Sequence, residues 1–210
     1  MSTIEIGRLL RSSTTGCVIG CRLSDIDVPA LGGMVRIPLE DPAHTQVYGL
    51  IYDIHVDDDG LVRQLITADQ VHPSVILDNR LNRNVPVEIS VLFTGYEQNG
   101  QICHLLPPRP PLTLDVIYLC SPAELARFTA AGRFGYFRHV LRARDLPVEE
   151  LLAAHVQQAA AAQSAAGSRQ WAQQAAAELI TLLRDDYPTL MGVLGALADA
   201  QMGSIGGQNA

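Results

Sequence analysis

The chain has 210 residues, 48% of them hydrophobic and 18% charged, a composition that supports a packed core and excludes a disordered chain. Against 22 acidic residues stand 15 basic ones, all arginine and none lysine, for a formal net charge of -7. That balance excludes nucleic-acid binding through the whole surface, because neutralising phosphates requires a basic face. No apolar run follows a basic start and no apolar stretch of about 18 residues occurs, so neither a signal peptide nor a membrane span is expected, and the simplest placement is cytoplasmic. Aromatic residues make up only 5%, so aliphatic packing is expected to carry the core.

Short β-branched segments fill the first half. Ile4–Leu10 and Cys17–Leu23 read as strands joined by Ser12-Ser13-Thr14-Thr15-Gly16, whose small polar residues favour a turn. Asp25-Ile26-Asp27-Val28-Pro29 opens a loop, and Leu31–Pro38 enters another strand through the pair Gly32-Gly33. Thr45–Val56 and Leu61–Thr67 are expected to form a hairpin across Asp57-Asp58-Asp59-Gly60, since Asp-Gly tolerates the positive φ of a tight turn. His72–Asn84 fits either a helical turn or a connector. Val85–Tyr96 and Gln101–Leu106 predict a further hairpin with Asn99-Gly100 at its tip.

Pro107-Pro108-Arg109-Pro110-Pro111 lacks ladder donors at its prolines and belongs at an edge or outside the sheet. Leu114–Cys120 supplies one more strand. Ser121-Pro122-Ala123-Glu124 then has the form of a capping box with Pro at the first helical position, so a helix starts there and ends near Gly132. From Leu146 the composition turns to Ala, Gln and Leu, and the apolar period changes from two to about 3.6. Pro147 starts a helix that runs to Gly167. Ser168 is expected to cap a second with Trp171, Ala175, Leu179, Leu182 and Leu183 on one side, and Pro188 starts a third with a stripe of Leu190, Val193, Leu194 and Leu197. The fold class is therefore mainly β with α. A small N-terminal β-barrel spans 1–120, a capped helix and aromatic-arginine connector 121–145, an Ala-rich helical region 146–200, and a flexible tail 201–210. Helices so poor in large apolar groups are expected to dock on the barrel, on a second copy or on a partner.

Residues that carry chemistry are scattered. Cys17, Cys21, Cys103 and Cys120 lack the spacing of a disulfide framework. Cys17, Cys21, Cys103 and His104 also lack the close pairs of a zinc site, so no metal and no cofactor is expected. His55 beside Asp57-Asp58-Asp59 reads as a solvated turn, and His72, His104, His139 and His155 sit in no catalytic motif. The densest cluster is Arg127, Arg133, Phe134, Tyr136, Phe137, Arg138, Arg142 and Arg144, whose interleaved aromatics and arginines suit either contact with nucleic acid or a partner, or packing of the tail on the barrel with the arginines in water.

Three places, taken in order, carry a resemblance: Ile6-Gly7-Arg8-Leu9-Leu10, Val47-Tyr48-Gly49-Leu50-Ile51, and Pro107–Pro111 followed by Val116-Ile117-Tyr118 and Ser121-Pro122-Ala123-Glu124-Leu125. The chain from Ile6 to Leu125 thereby resembles the HAS barrel found at the N-terminus of HerA-type DNA-translocating ATPases and of rotary ATP synthase subunits. In that family the barrel mediates packing between subunits of a ring-shaped motor. No G-x-x-x-x-G-K-[ST] run and no lysine is present, so ATP hydrolysis does not carry over. The resemblance implies a non-catalytic barrel that joins, caps or regulates a HerA-like or FtsK-like ATPase, or that packs on itself as a homo-oligomer, with no membrane involved. A direct nucleic-acid-binding module and a small-molecule enzyme built on the barrel are the alternatives.

Overall fold

The structure, a computed structural model, describes residues 4–21, 29–58, 60–68, 70–81 and 86–206. Seven strands build the N-terminal half: β1 (Ile4–Ser12), β2 (Gly16–Cys21), β3 (Met34–Pro38), β4 (Gln46–His55), β5 (Val87–Gln98), β6 (Gln101–Cys103) and β7 (Val116–Leu119). They pair antiparallel in the order β2-β1-β7-β3-β4-β5-β6, and β2 also pairs with β5. That last pairing closes six strands into a barrel, with β6 continuing along the edge of β5 beyond the end of β2.

Strict alternation on β5 sends Val87, Ile89, Val91 and Phe93 into the barrel, where they meet Ile19, Ile37, Val47, Ile51 and Ile117. On β1 the buried residues are Ile6 and Leu9, a spacing of three that a regular strand cannot bury on one face. Register shifts between Glu5 and Gly7, and between Leu9 and Arg11, supply the bulges that allow it. The β5–β6 turn has Asn99 at φ 51 and Gly100 at φ 79, the paired positive angles that Asn-Gly favours.

The expected hairpin partner Leu61–Thr67 is instead helix α1, followed by α2 (Pro73–Leu81) in the segment that fits either a helical turn or a connector. β5 pairs with β4 as far as His55, whereas β3 reaches only Leu50, so the far end of β4 takes its ladder from β5 and none from Leu61–Thr67. The backbone N–H of Gly60 instead donates to Asp58 Oδ1 at 2.9 Å and the chain turns into a helix. The expectations for 22–28, Asp59 and 82–85 lie outside the described residues.

The remaining helices are α3 (Pro122–Ala130), α4 (Phe137–Leu141), α5 (Val148–Ala165), α6 (Trp171–Leu182) and α7 (Tyr187–Gly206), with a 3-10 turn over Gly132–Phe134. The capping box forms: Glu124 N–H donates to Ser121 Oγ at 3.3 Å, and Ser121 N–H donates to Glu124 Oε2 at 2.8 Å. Gln170, not Ser168, precedes α6 and makes no side-chain cap. Trp171, Ala175, Leu179 and Leu183 are buried at helical spacing, whereas Leu182 turns outward. No helix among the described residues is long and apolar enough to cross a membrane.

Two cores result. The barrel interior is chiefly aliphatic. The second core lies outside the barrel wall, where Met34, Tyr48 and Leu50 of β3 and β4 meet Phe128, Tyr136, Phe137, Leu151, Leu152, Trp171 and Val193. Aliphatic packing alone therefore does not carry the fold, because the few aromatics concentrate at this seam. Phe128 lies 4.8 Å from Tyr48 and 5.5 Å from Tyr136, and Tyr136 lies 4.7 Å from Phe137, ring centre to ring centre. Among the Ala-rich helices, α5 docks on the barrel side of its own chain through His155–Gly32 and Gln158–Leu31, and α6 and α7 pack on α5.

Candidate functional site

The aromatic-arginine cluster read from the sequence is taken apart by the fold. Tyr136 and Phe137 are fully buried, and Phe134 stacks on Phe137 and leans on Trp171, so three rings that stacking on bases would require belong to the core. Arg133 is exposed, in the left-handed region at φ 48. Arg127 faces the barrel wall, while Arg138, Arg142 and Arg144 line a groove on the other side of α4.

Arg127 forms a two-pronged ion pair with Glu97 of β5 at 2.5 and 2.7 Å, and Tyr48 donates its hydroxyl to the same carboxylate at 2.8 Å. Beside it Arg36 Nε lies 2.7 Å from Glu124 Oε1. The Arg127 hydrogen bonds hold Glu97 below the ordinary carboxylate range against the cost of its burial. Burial opposes ionisation of Glu124, but the N–H and hydroxyl of Ser121, with Arg36, outweigh it and lower its pKa too. This cluster clamps α3 to the barrel. Arg127→Ala is expected to cost about 2 kcal/mol, the value of charge-assisted bonds to a buried acceptor reduced because the guanidinium is half exposed. Urea unfolding measures it. Both carboxylates contribute stability above the ordinary Glu range and lose it as pH falls through their lowered folded values, so the variant should show a shallower acid decline.

A second clamp is buried. His155 of α5 donates Nδ1–H to the carbonyl of Gly32 at 3.2 Å, and its Nε2 accepts the Tyr136 hydroxyl at 3.0 Å. Burial lowers its pKa to about 4, so the ring is neutral at pH 7. Gly32, in the turn before β3, has φ +76, and a Cβ there would sit 2.6 Å from the backbone nitrogen of His155, so glycine is what permits the turn and helix backbones to approach this closely.

The candidate metal ligands are not gathered. Cys17 opposes Val91 and Cys103 opposes Tyr96, at different points along β5. Burial pushes the Cys17 thiol up to about 12 and raises Cys21 as well. Among the described residues no three of His, Cys, Asp and Glu converge. In the acidic turn, Asp57 pairs with His55 at 3.1 Å and Asp58 with Arg63 at 2.5 Å.

Two surfaces remain that the packing does not consume. One is a groove of about 730 Å³ between the outer barrel wall and α4. Its floor takes Val18, Tyr52 and Leu92 from β2, β4 and β5, with Leu106 beside them. Arg11, Arg138, His139, Arg142 and Arg144 form its rim, and among the described residues no carboxylate lines it. Arg138 and His139 both donate to the carbonyl of His104. His139 has its pKa lowered first by burial and further by Arg138 and Arg142, the sign of a positive field. Arg142 and Arg144 are exposed, and their guanidinium groups have no hydrogen bond or ion pair among the described residues. Sequence reasoning found three of these arginines but missed Arg11, which only the β1–β2 pairing brings beside α4.

The other surface is the arm formed by α1 and α2 between β4 and β5. It exposes Val56, Ile66, Val75, Ile76 and Leu77, with Ile66 77% and Leu77 58% accessible. Comparison of the chain with protein-family models and with curated proteins finds no match.

Proposed function

We propose that the protein is a non-catalytic assembly or regulatory partner of a HerA/FtsK-like DNA-translocating ATPase. The observation that carries this reading is the exposed apolar arm. Monomeric domains rarely leave several large aliphatic side chains in water on one segment, and such patches mark surfaces that other proteins cover. The resemblance adds to it, since three of its segments, Ile6–Leu10, Val47–Ile51 and Val116–Tyr118, lie on β1, β4 and β7, which with β3 form one continuous run of the barrel wall.

The test mixes the intact chain with a purified HerA-type ATPase encoded in the same genome and follows the complex by size-exclusion chromatography with light scattering. A stable complex is expected, and Ile76→Asp/Leu77→Asp should abolish it without changing the melting temperature. Failure of the intact chain to form a complex overturns the reading. Calorimetry with Mg-ATP is expected to show no saturable binding to the protein alone, because the sequence has no P-loop and no lysine. Micromolar or tighter binding overturns the non-catalytic part.

A further inference from the structure

We propose that the arginine groove binds an acidic, amphipathic peptide segment of a protein partner, with carboxylates on Arg142 and Arg144 and apolar side chains on the floor of Val18, Leu92 and Leu106. The proposal rests on the assembly reading, which supplies the partner, and adds to it a second site and the chemistry that recognises it.

Charge complementarity is the first argument. A chain of net charge -7 concentrates Arg11, Arg138, Arg142 and Arg144 around one concavity that no carboxylate lines among the described residues. Guanidinium groups bind carboxylates through two parallel N–H donors, and the rim already contains one example. Arg11 takes both oxygens of Glu88, at 2.7 and 3.3 Å, from an exposed position. Arg142 and Arg144 present the same group with no such acceptor.

The floor is the second argument. Phosphate-backbone grooves work through cations and stacking rings, and need no aliphatic base. Here Leu106 is exposed, Leu92 and Val18 are half-buried, and Phe134, Tyr136 and Phe137 are committed to the core. A peptide that alternates acidic and apolar side chains matches both parts of this surface, while a polynucleotide matches the rim and, in the floor, the half-buried ring of Tyr52 but not the aliphatic Val18, Leu92 and Leu106.

The probe is a short fluorescein-labelled peptide alternating Asp and Leu, followed by anisotropy with the full-length chain at physiological salt. Peptides alternating Asp with Ser and Lys with Leu, and an oligothymidylate of matching length, are measured beside it. Saturable binding of the Asp-Leu peptide is expected, weaker binding of the Asp-Ser peptide, and no saturation by the other two. Arg142→Glu/Arg144→Glu should weaken the Asp-Leu peptide at least about tenfold with an unchanged melting temperature, and Leu106→Asp should weaken it by a route that leaves the arginines in place. Absence of saturable binding, or binding that the arginine substitutions leave intact, overturns the proposal. Tighter binding of oligothymidylate that the same substitutions remove also overturns it and assigns the groove to phosphates. Capture of the ATPase without peptide binding removes this proposal and leaves the assembly reading. Arginine-dependent peptide binding without ATPase capture does the reverse.

Discussion

His155→Ala is expected to destabilise the protein by about 3 kcal/mol at pH 7, because it empties a fully packed position and strips the Gly32 carbonyl and the Tyr136 hydroxyl of a partner. Its pH signature is sharper than its size. The ordinary histidine value is 6.5 and burial lowers the folded value to about 4. Above pH 6.5 the ring is neutral in both states and contributes no slope. Between 6.5 and 4 the unfolded chain takes up a proton that the folded chain refuses, so stability falls as the pH falls, by about 1.4 kcal/mol per unit. Below 4 both states bind the proton and the slope ends. Urea unfolding of the native chain and of His155→Gln, at pH 7, 5.5 and 4, should give curves that converge on acidification. Parallel curves would show that the ring does not sit neutral between the Gly32 turn and α5.

Gly49→Val should produce the other large effect, from within the barrel wall. A Cβ at Gly49 would overlap Val91 Cγ1, lie 2.7 Å from the Leu92 carbonyl oxygen and 3.2 Å from a Phe93 ring carbon. The obstacles include backbone and two core side chains, none of them the free end of a flexible group. The register shifts between Tyr48 and Gly49, and β5 is paired with β4 on one edge and β2 on the other, so it cannot withdraw without breaking the ladder that closes the barrel. The expected loss is about 3 kcal/mol, at the upper end for an overpacked interior, which lowers the melting temperature by about 8 °C in a chain of this size. Thermal unfolding followed by circular dichroism checks it. An unchanged melting temperature would mean that the wall yields at this point.

What could be read from the sequence is what local chemistry decides. Asn99-Gly100 specifies its turn through backbone angles of two residues, and Ser121-Pro122-Ala123-Glu124 specifies a helix start through bonds inside one turn. Asp59-Gly60 carried the same local signal as Asn99-Gly100, yet Leu61–Thr67 is helical, because the strand that pairs the end of β4 is β5, far along the chain. The same limit hid both clamps. Arg127 stood out as a member of a basic cluster, yet its partner Glu97 lies on β5 and nothing near either residue announces the pair. His155 showed only as one histidine among several. The readable clue was its position amid small residues on an apolar helix, where a polar ring must find partners across the fold.

Barrel closure dictates the order in which the chain can fold. β1 must wait for β7, since Ile4 pairs with Leu119 and Arg8 with Val116, and β2 must wait for β5, since Cys21 pairs with Val87. During synthesis the first two strands therefore leave the ribosome as a hairpin with unpaired outer edges; the β2 edge stays open until β5 has emerged and the β1 edge until residue 119 has. Pairings this distant fold slowly and leave an aggregation-prone interval, whereas α5, α6 and α7, made after the wall is complete, need only local contacts to form. Arrested chains that end before β7 should accordingly be the form most dependent on chaperones, and release past Ile117, which completes the interior, should mark the moment the protein becomes protease-resistant.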